Sequence, residues 1–121
     1  MTPQLCNSDQ SKALKALGYK GKTKHFFKNG VAEESYYEWD KNDHREWLCT
    51  RPTVSDAIRF FRLEKGIHGY PKTWNHSWGF NVEQSEGSDF AKTIWSECGF
   101  KSHDSAENAL LNRLIEISGN W

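Results

Sequence analysis

The run Tyr19-Lys20-Gly21-Lys22-Thr23-Lys24-His25-Phe26-Phe27-Lys28 contains four lysines and no carboxylate. On a strand alternate side chains share a face, so Lys24, Phe26 and Lys28 fall on one side, with Lys20 and Lys22 continuing the row. An aromatic ring among ammonium groups suits a nucleotide: the cations compensate phosphate and the ring stacks on a base. Lys20, Lys22, Lys24, Phe26 and Lys28 are therefore the candidate ligand-binding residues, with Lys22 and Lys24 expected on phosphate. The commoner meaning of such a run is a strand whose lysines are merely solvated.

Other reactive residue types form no recognisable constellation. Cys6, Cys49 and Cys98 are far apart and in no Cys-x-x-Cys pair, so reduced thiols are expected rather than a disulfide framework or a zinc knuckle. His44 with Cys49, and Cys98 with His103, share a spacing of five, but no short paired spacing defines a tetrahedral site, and no metal is expected. Asp40, Asn42, Asp43 and Glu46 resemble fragments of a calcium loop without its central glycine or its length, and read as a solvated turn. Cys49 and Cys98 lie in strand-like runs, where buried, inert thiols are expected. There is no glycine-rich phosphate loop and no Gly-x-Ser-x-Gly elbow. No catalytic residue, cofactor or enzymatic activity is therefore expected.

The elements that would position these residues are legible from caps and periodicity. Asn7 with Gln10 reads as a capping box for a short helix with Leu14 and Leu17 on its apolar face, stopped by Gly18. Residues 23–28 and 31–39 flank Asn29-Gly30, a dipeptide suited to a tight hairpin turn, and residues 46–50 add a third strand before Pro52. Thr53 caps a second helix with Val54, Ala57, Ile58 and Phe61 at helical spacing and Gly66 as its left-handed stop. Residues 66–70 begin a strand that Pro71 interrupts. A further strand runs to about Glu83, and residues 85–89 form a turn. In the strand 91–100, Ile94, Cys98 and Phe100 share one side while Ala91, Thr93 and Trp95 share the other. A last helix opens at Asp104 with Glu107 as capping partner, and Ala106, Leu110, Leu114 and Ile117 form its stripe. The fold class is α+β, with three helices and an antiparallel sheet of four to six strands in the order α-β-β-(β)-α-(β)-β-β-α.

Residues 74–82, WNHSWGFNV, alternate so that Trp74, His76, Trp78, Phe80 and Val82 fall on one side. That side is expected to be the core face under the second and third helices, since two helices with apolar stripes need a sheet to cover. Trp78 is placed against Ile58 and Phe61, Phe80 between the second helix and Leu110, and His76 near the edge. The competing reading is an exposed stacking platform.

The 121 residues fit a single domain, 1–121, able to bury roughly two thirds of its unfolded surface. Only 36% are hydrophobic but 14% are aromatic, so the core must rely on a few large rings. No stretch approaches a membrane span and the start lacks the features of a secretory signal, so a cytoplasmic protein is expected. Net charge is zero, yet residues 1–28 set six lysines against Asp9, while residues 29–49 set six acids against Lys41 and Arg45. This alternation in sign does not favour general nucleic-acid affinity.

The segments SKALKALGY (11–19), PTVSDAIRFFRLEKGIH (52–68) and DSAENALLNRLIEI (104–117), with the aromatic strand between the last two, resemble a set of small proteins carried by gut Bacteroidales and their phages. The resemblance spans most of residues 8–117. Its motifs are caps and core positions, so it implies a compact phage or mobile-element accessory protein and no catalytic residue. The order helix, three strands, helix over 53–117 is also similar to double-stranded-RNA-binding domains, but their lysine cluster at the start of the final helix is missing: Lys101 stands alone beside Asp104 and Glu107. The expected function is a non-catalytic binding protein acting on a host protein or a small nucleotide-like ligand, in a counter-defence role. Nucleic-acid binding is the alternative.

Overall fold

Asn7 starts the first helix as the capping box requires. Its side-chain oxygen accepts the Gln10 N–H at 2.8 Å, its own N–H donates to Gln10 Oε1 at 2.9 Å, and helix α1 spans Ser8–Ala16. Strands β1 (Thr23–Lys28) and β2 (Val31–Trp39) meet through Asn29-Gly30, both at positive φ as a two-residue hairpin demands. β3 (Leu48–Thr50) pairs with the other edge of β1. Thr53 caps helix α2 (Val54–Lys65), which ends at Gly66 in the left-handed conformation. β4 (Ile67–Trp74), β5 (Ser77–Ser85) and β6 (Ala91–Phe100) follow, then helix α3 (His103–Ile117). The computed structural model describes residues 3–40, 42, 45–85 and 91–119. The turn expected at 85–89 lies outside them apart from Ser85, as do His44 and Asp43.

The protein is α+β, and the described residues form three helices and six antiparallel strands in the order anticipated. The strands divide into two three-stranded sheets, β2-β1-β3 and β4-β5-β6, instead of joining in one. The physical reason lies in the chain leaving β3. Leu5 bridges Thr53, the Cys6 N–H donates to Pro52 O at 2.9 Å, and the Val54 N–H donates to Gln4 O at 2.8 Å. The N-terminal segment thus takes the backbone groups that a further strand would have used.

One face of the second sheet is covered by helices. Val54, Ala57, Phe60 and Phe61 of α2, Leu110, Leu111, Leu114 and Ile115 of α3, Ala13 and Leu14 of α1, and Phe80 and Val82 of β5 form one buried cluster. A side chain such as Phe80, fully withdrawn from water, contributes about 1.5–3 kcal/mol. Gly69 lets β4 approach α3, because a Cβ there would stand 2.6 Å from a Leu110 methyl. Gln10 is fully buried and fastens α1 to α3: its amide nitrogen donates to Asn108 Oδ1 at 3.1 Å and to Asn112 Oδ1 at 2.8 Å.

Several local expectations change in three dimensions. The stretch 74–82 is not one strand: the chain reverses at Asn75 and His76, both at positive φ, so His76 is an exposed turn residue. The Trp74 side chain lies outside the described part. Phe80 is buried as expected and stacks on Phe100 with ring centroids 5.9 Å apart. Trp78, expected against Ile58 and Phe61, is half-buried and meets His103 edge-on at 5.0 Å. Pro71 does not interrupt β4, which is an edge strand where a missing N–H is tolerated. In β6, register shifts near Ile94 and Gly99 break the alternation. Ile94 and Phe100 reach the core, Trp95 comes under Arg113 at 4.0 Å, and Cys98 is exposed. Ser102, not Asp104, caps α3; Ala106, Leu110 and Leu114 are buried as expected, Leu111 and Ile115 are buried with them, and Ile117 is exposed.

Candidate functional site

The lysine run is split by the fold. Lys24, Phe26 and Lys28 occupy alternate positions of β1 and share a face, with both lysines exposed and Phe26 half-buried. Phe27 points the other way, is buried, and has the Arg51 guanidinium 4.9 Å above its ring. Lys22 is exposed in the connection before β1. Lys20 lines a separate open cleft of about 660 Å³ with Tyr19, Asp56, Arg59, Phe60 and Leu63. Acids enter the same neighbourhood from the partner strand: Glu33 lies directly opposite Phe26 and Glu34 opposite His25. A field that is uniformly positive along the sequence is therefore mixed across the hairpin.

The partner strand itself is the more unusual feature. β2 has a single neighbour, β1, and forms an edge of its sheet; eight of its nine residues are exposed and Ser35 is intermediate. A strand normally buries at least one face. Between Thr23 and His25 the register with β2 slips, so three β2 residues bulge out of the ladder. Ser35 holds the bulge by donating its hydroxyl to Tyr37 O at 2.6 Å or Lys24 O at 3.1 Å. The result projects Tyr36 and Tyr37, 85% and 73% exposed, packed edge-to-face on each other with centroids 4.7 Å apart. Val31 and Trp39 add exposed apolar surface to the same strand. Glu33, Glu34 and Glu38 make no ion pair among the described residues.

Residue-level reasoning missed Tyr36 and Tyr37 as site residues. The signal was present: VAEESYYEW has strand composition but no apolar side of period two, so neither of its faces suits a core.

The remaining candidates separate. Asn42, expected in a solvated turn, is structural: its amide donates to Tyr19 O at 2.8 Å and its oxygen accepts the Thr50 N–H at 2.9 Å. Cys49 is buried on the first sheet, whereas Cys98, also expected buried, is exposed on the second. They share no ligand cluster. Among the described residues His103, Asp104 and Glu107 are the one group of such side chains close enough to share an ion. They sit at the N-terminal end of α3, where the helix dipole disfavours a cation. The same acids leave that end unsuited to phosphate. Burial pushes the Glu107 carboxyl up, and His103 pulls it down. Among the described residues no helix is long and apolar enough to cross a membrane.

What these elements define is an α+β protein with one helix-covered sheet, β4-β5-β6, and another, β2-β1-β3, whose edge strand β2 is exposed. No protein-family model, curated protein or solved structure matches the chain.

Proposed function

We propose that this chain is a non-catalytic binding protein that docks on a protein partner through the β1–β2 hairpin. The observation that carries the reading is β2, an edge strand exposed along its length and bearing Tyr36, Tyr37 and Trp39. Exposed aromatic rings are the usual anchors of protein interfaces, where they bury large area with few rotamers to freeze. The unpaired Glu33, Glu34 and Glu38 select a partner with a basic surface. Occlusion of a host protein in this way fits a phage or mobile-element accessory protein in a counter-defence role. A nucleotide at Lys22 and Lys24 is the weaker reading, because Glu33, opposite Phe26, stands on the same face as that patch.

Immobilised wild-type chain and a Tyr36→Ala/Tyr37→Ala variant, exposed to the same host lysate, separate these readings. A protein retained by the wild type and lost by the variant is the expected result. The variant should melt within about 0.5 kcal/mol of the wild type, since both rings are at the surface. Native mass spectrometry of the eluate identifies a retained nucleotide, and loss of that nucleotide on neutralising Lys22 and Lys24 would transfer the site to the lysine face. Robust turnover of a substrate by the purified chain would end the non-catalytic reading.

A further inference from the structure

A second site lies between α1 and the first sheet. Here Lys12, Lys15 and Ala16 of α1 face Phe27, Trp47 and Cys49 across a groove of about 300 Å³, with Gly30 and Glu46 at its rim. Lys12, Lys15 and Ala16 form one stripe of the helix, at spacings of three and four. The walls are apolar: Phe27 and Cys49 are buried, and the exposed Trp47 indole has the Arg45 guanidinium over its ring, 5.1 Å from the centroid. The Asn29 N–H fixes the Trp47 backbone through a 2.7 Å bond to its carbonyl.

Lys15 is anchored in an unusual way for a lysine. Its ammonium donates to the carbonyl of Leu48 at 2.6 Å and to the carbonyl of Arg45. An ammonium has three protons, so one is left for another acceptor, on a head group already fixed in position. Lys12, one turn earlier, is exposed and lines the same groove. Glu46 is the opposing charge, on the rim and exposed. The floor of the groove senses the balance. Burial pushes the Cys49 thiol up, while Lys15 and then Lys12 pull it down, so both lysines favour negative charge there.

From the apolar walls and the fixed ammonium at their edge, we infer that this groove binds a small amphipathic monoanion, a carboxylate on a short apolar chain. The volume is at the small end of the range for ligand pockets, about 300–1,000 Å³, which limits the apolar body to a compact one. The chain enters between Phe27, Trp47 and Cys49, and the carboxylate accepts from Lys15 and is neutralised by Lys12. This site does not depend on the Tyr36–Tyr37 surface.

Titrating the 15N-labelled chain with sodium octanoate, 1-octanol and octylammonium tests the assignment. Octanoate is expected to shift the Trp47 indole N–H and the Ala16, Gly30 and Cys49 amides saturably, octanol to bind more weakly, and octylammonium not to saturate. Lys12→Glu reverses one nearby charge and should weaken octanoate about tenfold with little effect on octanol. Ala16→Phe fills the groove from an exposed helix position, so the fold is retained while binding of both probes is lost. The Tyr36→Ala/Tyr37→Ala variant should bind octanoate like the wild type. Equal affinity for octanoate and octanol, indifference to Lys12→Glu, or saturable shifts confined to other residues would each overturn the proposal.

Discussion

Phe80 and Trp78 stand two residues apart on the same side of β5, yet they carry different weight. Phe80 is completely enclosed and stacked on Phe100, whereas Trp78 is half-buried at the sheet margin beside His103. Truncation of an enclosed ring removes its transfer free energy and leaves a cavity that the helices cannot fully close. Phe80→Ala should therefore cost about 3–5 kcal/mol, and Trp78→Ala less than about half of that. Chemical denaturation of both variants checks the order, and equal losses would mean that Trp78 is a core residue after all. Gly79, between them, is constrained by backbone: a Cβ there would come within 2.4 Å of Glu97 O.

At the scale of elements, α1 is short and depends on its ends and on two tethers, Lys15 to the carbonyls of Arg45 and Leu48 and Gln10 to α3. Gln10 serves both purposes, completing the capping box with Asn7 and donating to Asn108 and Asn112 on α3. Asn7→Ala removes one cap and should cost about 1 kcal/mol. Gln10→Ala also leaves a buried void and frees the two asparagine oxygens, so its loss should be larger, about 2–3 kcal/mol. Thermal melts of the two variants, with backbone hydrogen exchange across α1, test this ranking. An equal loss would show that the contact with α3 contributes nothing to holding α1. β2 is the opposite kind of element: β1 is its single strand neighbour, and its outer edge and most of its side chains are exposed.

For the whole molecule, the junction of the N-terminal segment, α1 and α2 governs the response to alkali. Burial pushes the Cys6 thiol up to about 12, with Arg51 opposing, and burial followed by Asp56 pushes the Tyr19 hydroxyl up to about 12. Both groups are held protonated in the fold and ionise earlier in the unfolded chain, from ordinary values of 9.0 and 10.0. The unfolded state then binds fewer protons, so stability is complete below about pH 9 and declines as pH rises toward 12. The melting temperature should fall from about pH 8 to about pH 11, and less steeply in Cys6→Ala, in which one of the two groups is gone. A parallel fall in both proteins would remove Cys6 from the account.

The amino-acid sequence by itself determined what is local. Asn7 and Gln10, Thr53 and Gly66, and Asn29-Gly30 specify ends and turns through bonds and φ angles among near neighbours, and the structure has each of them in place. The helix stripes and the burial of Phe80 were legible for the same reason: a period of 3.6 or 2 needs only the backbone geometry. What only the tertiary structure decided are the features that depend on which segments meet. The division into two sheets follows from Leu5 and Cys6 binding the chain around Thr53. The exposure of Cys98 and the approach of Trp95 to Arg113 follow from bulges, each of which shifts a strand's faces by one residue. The lysine row lost its unity because Lys20 turns to a separate cleft and Glu33, remote from Lys24 along the chain, is brought onto the row's face by the hairpin. The groove of Lys12, Lys15, Trp47 and Cys49 is likewise assembled from residues more than thirty positions apart, and no spacing rule within one element could have announced it.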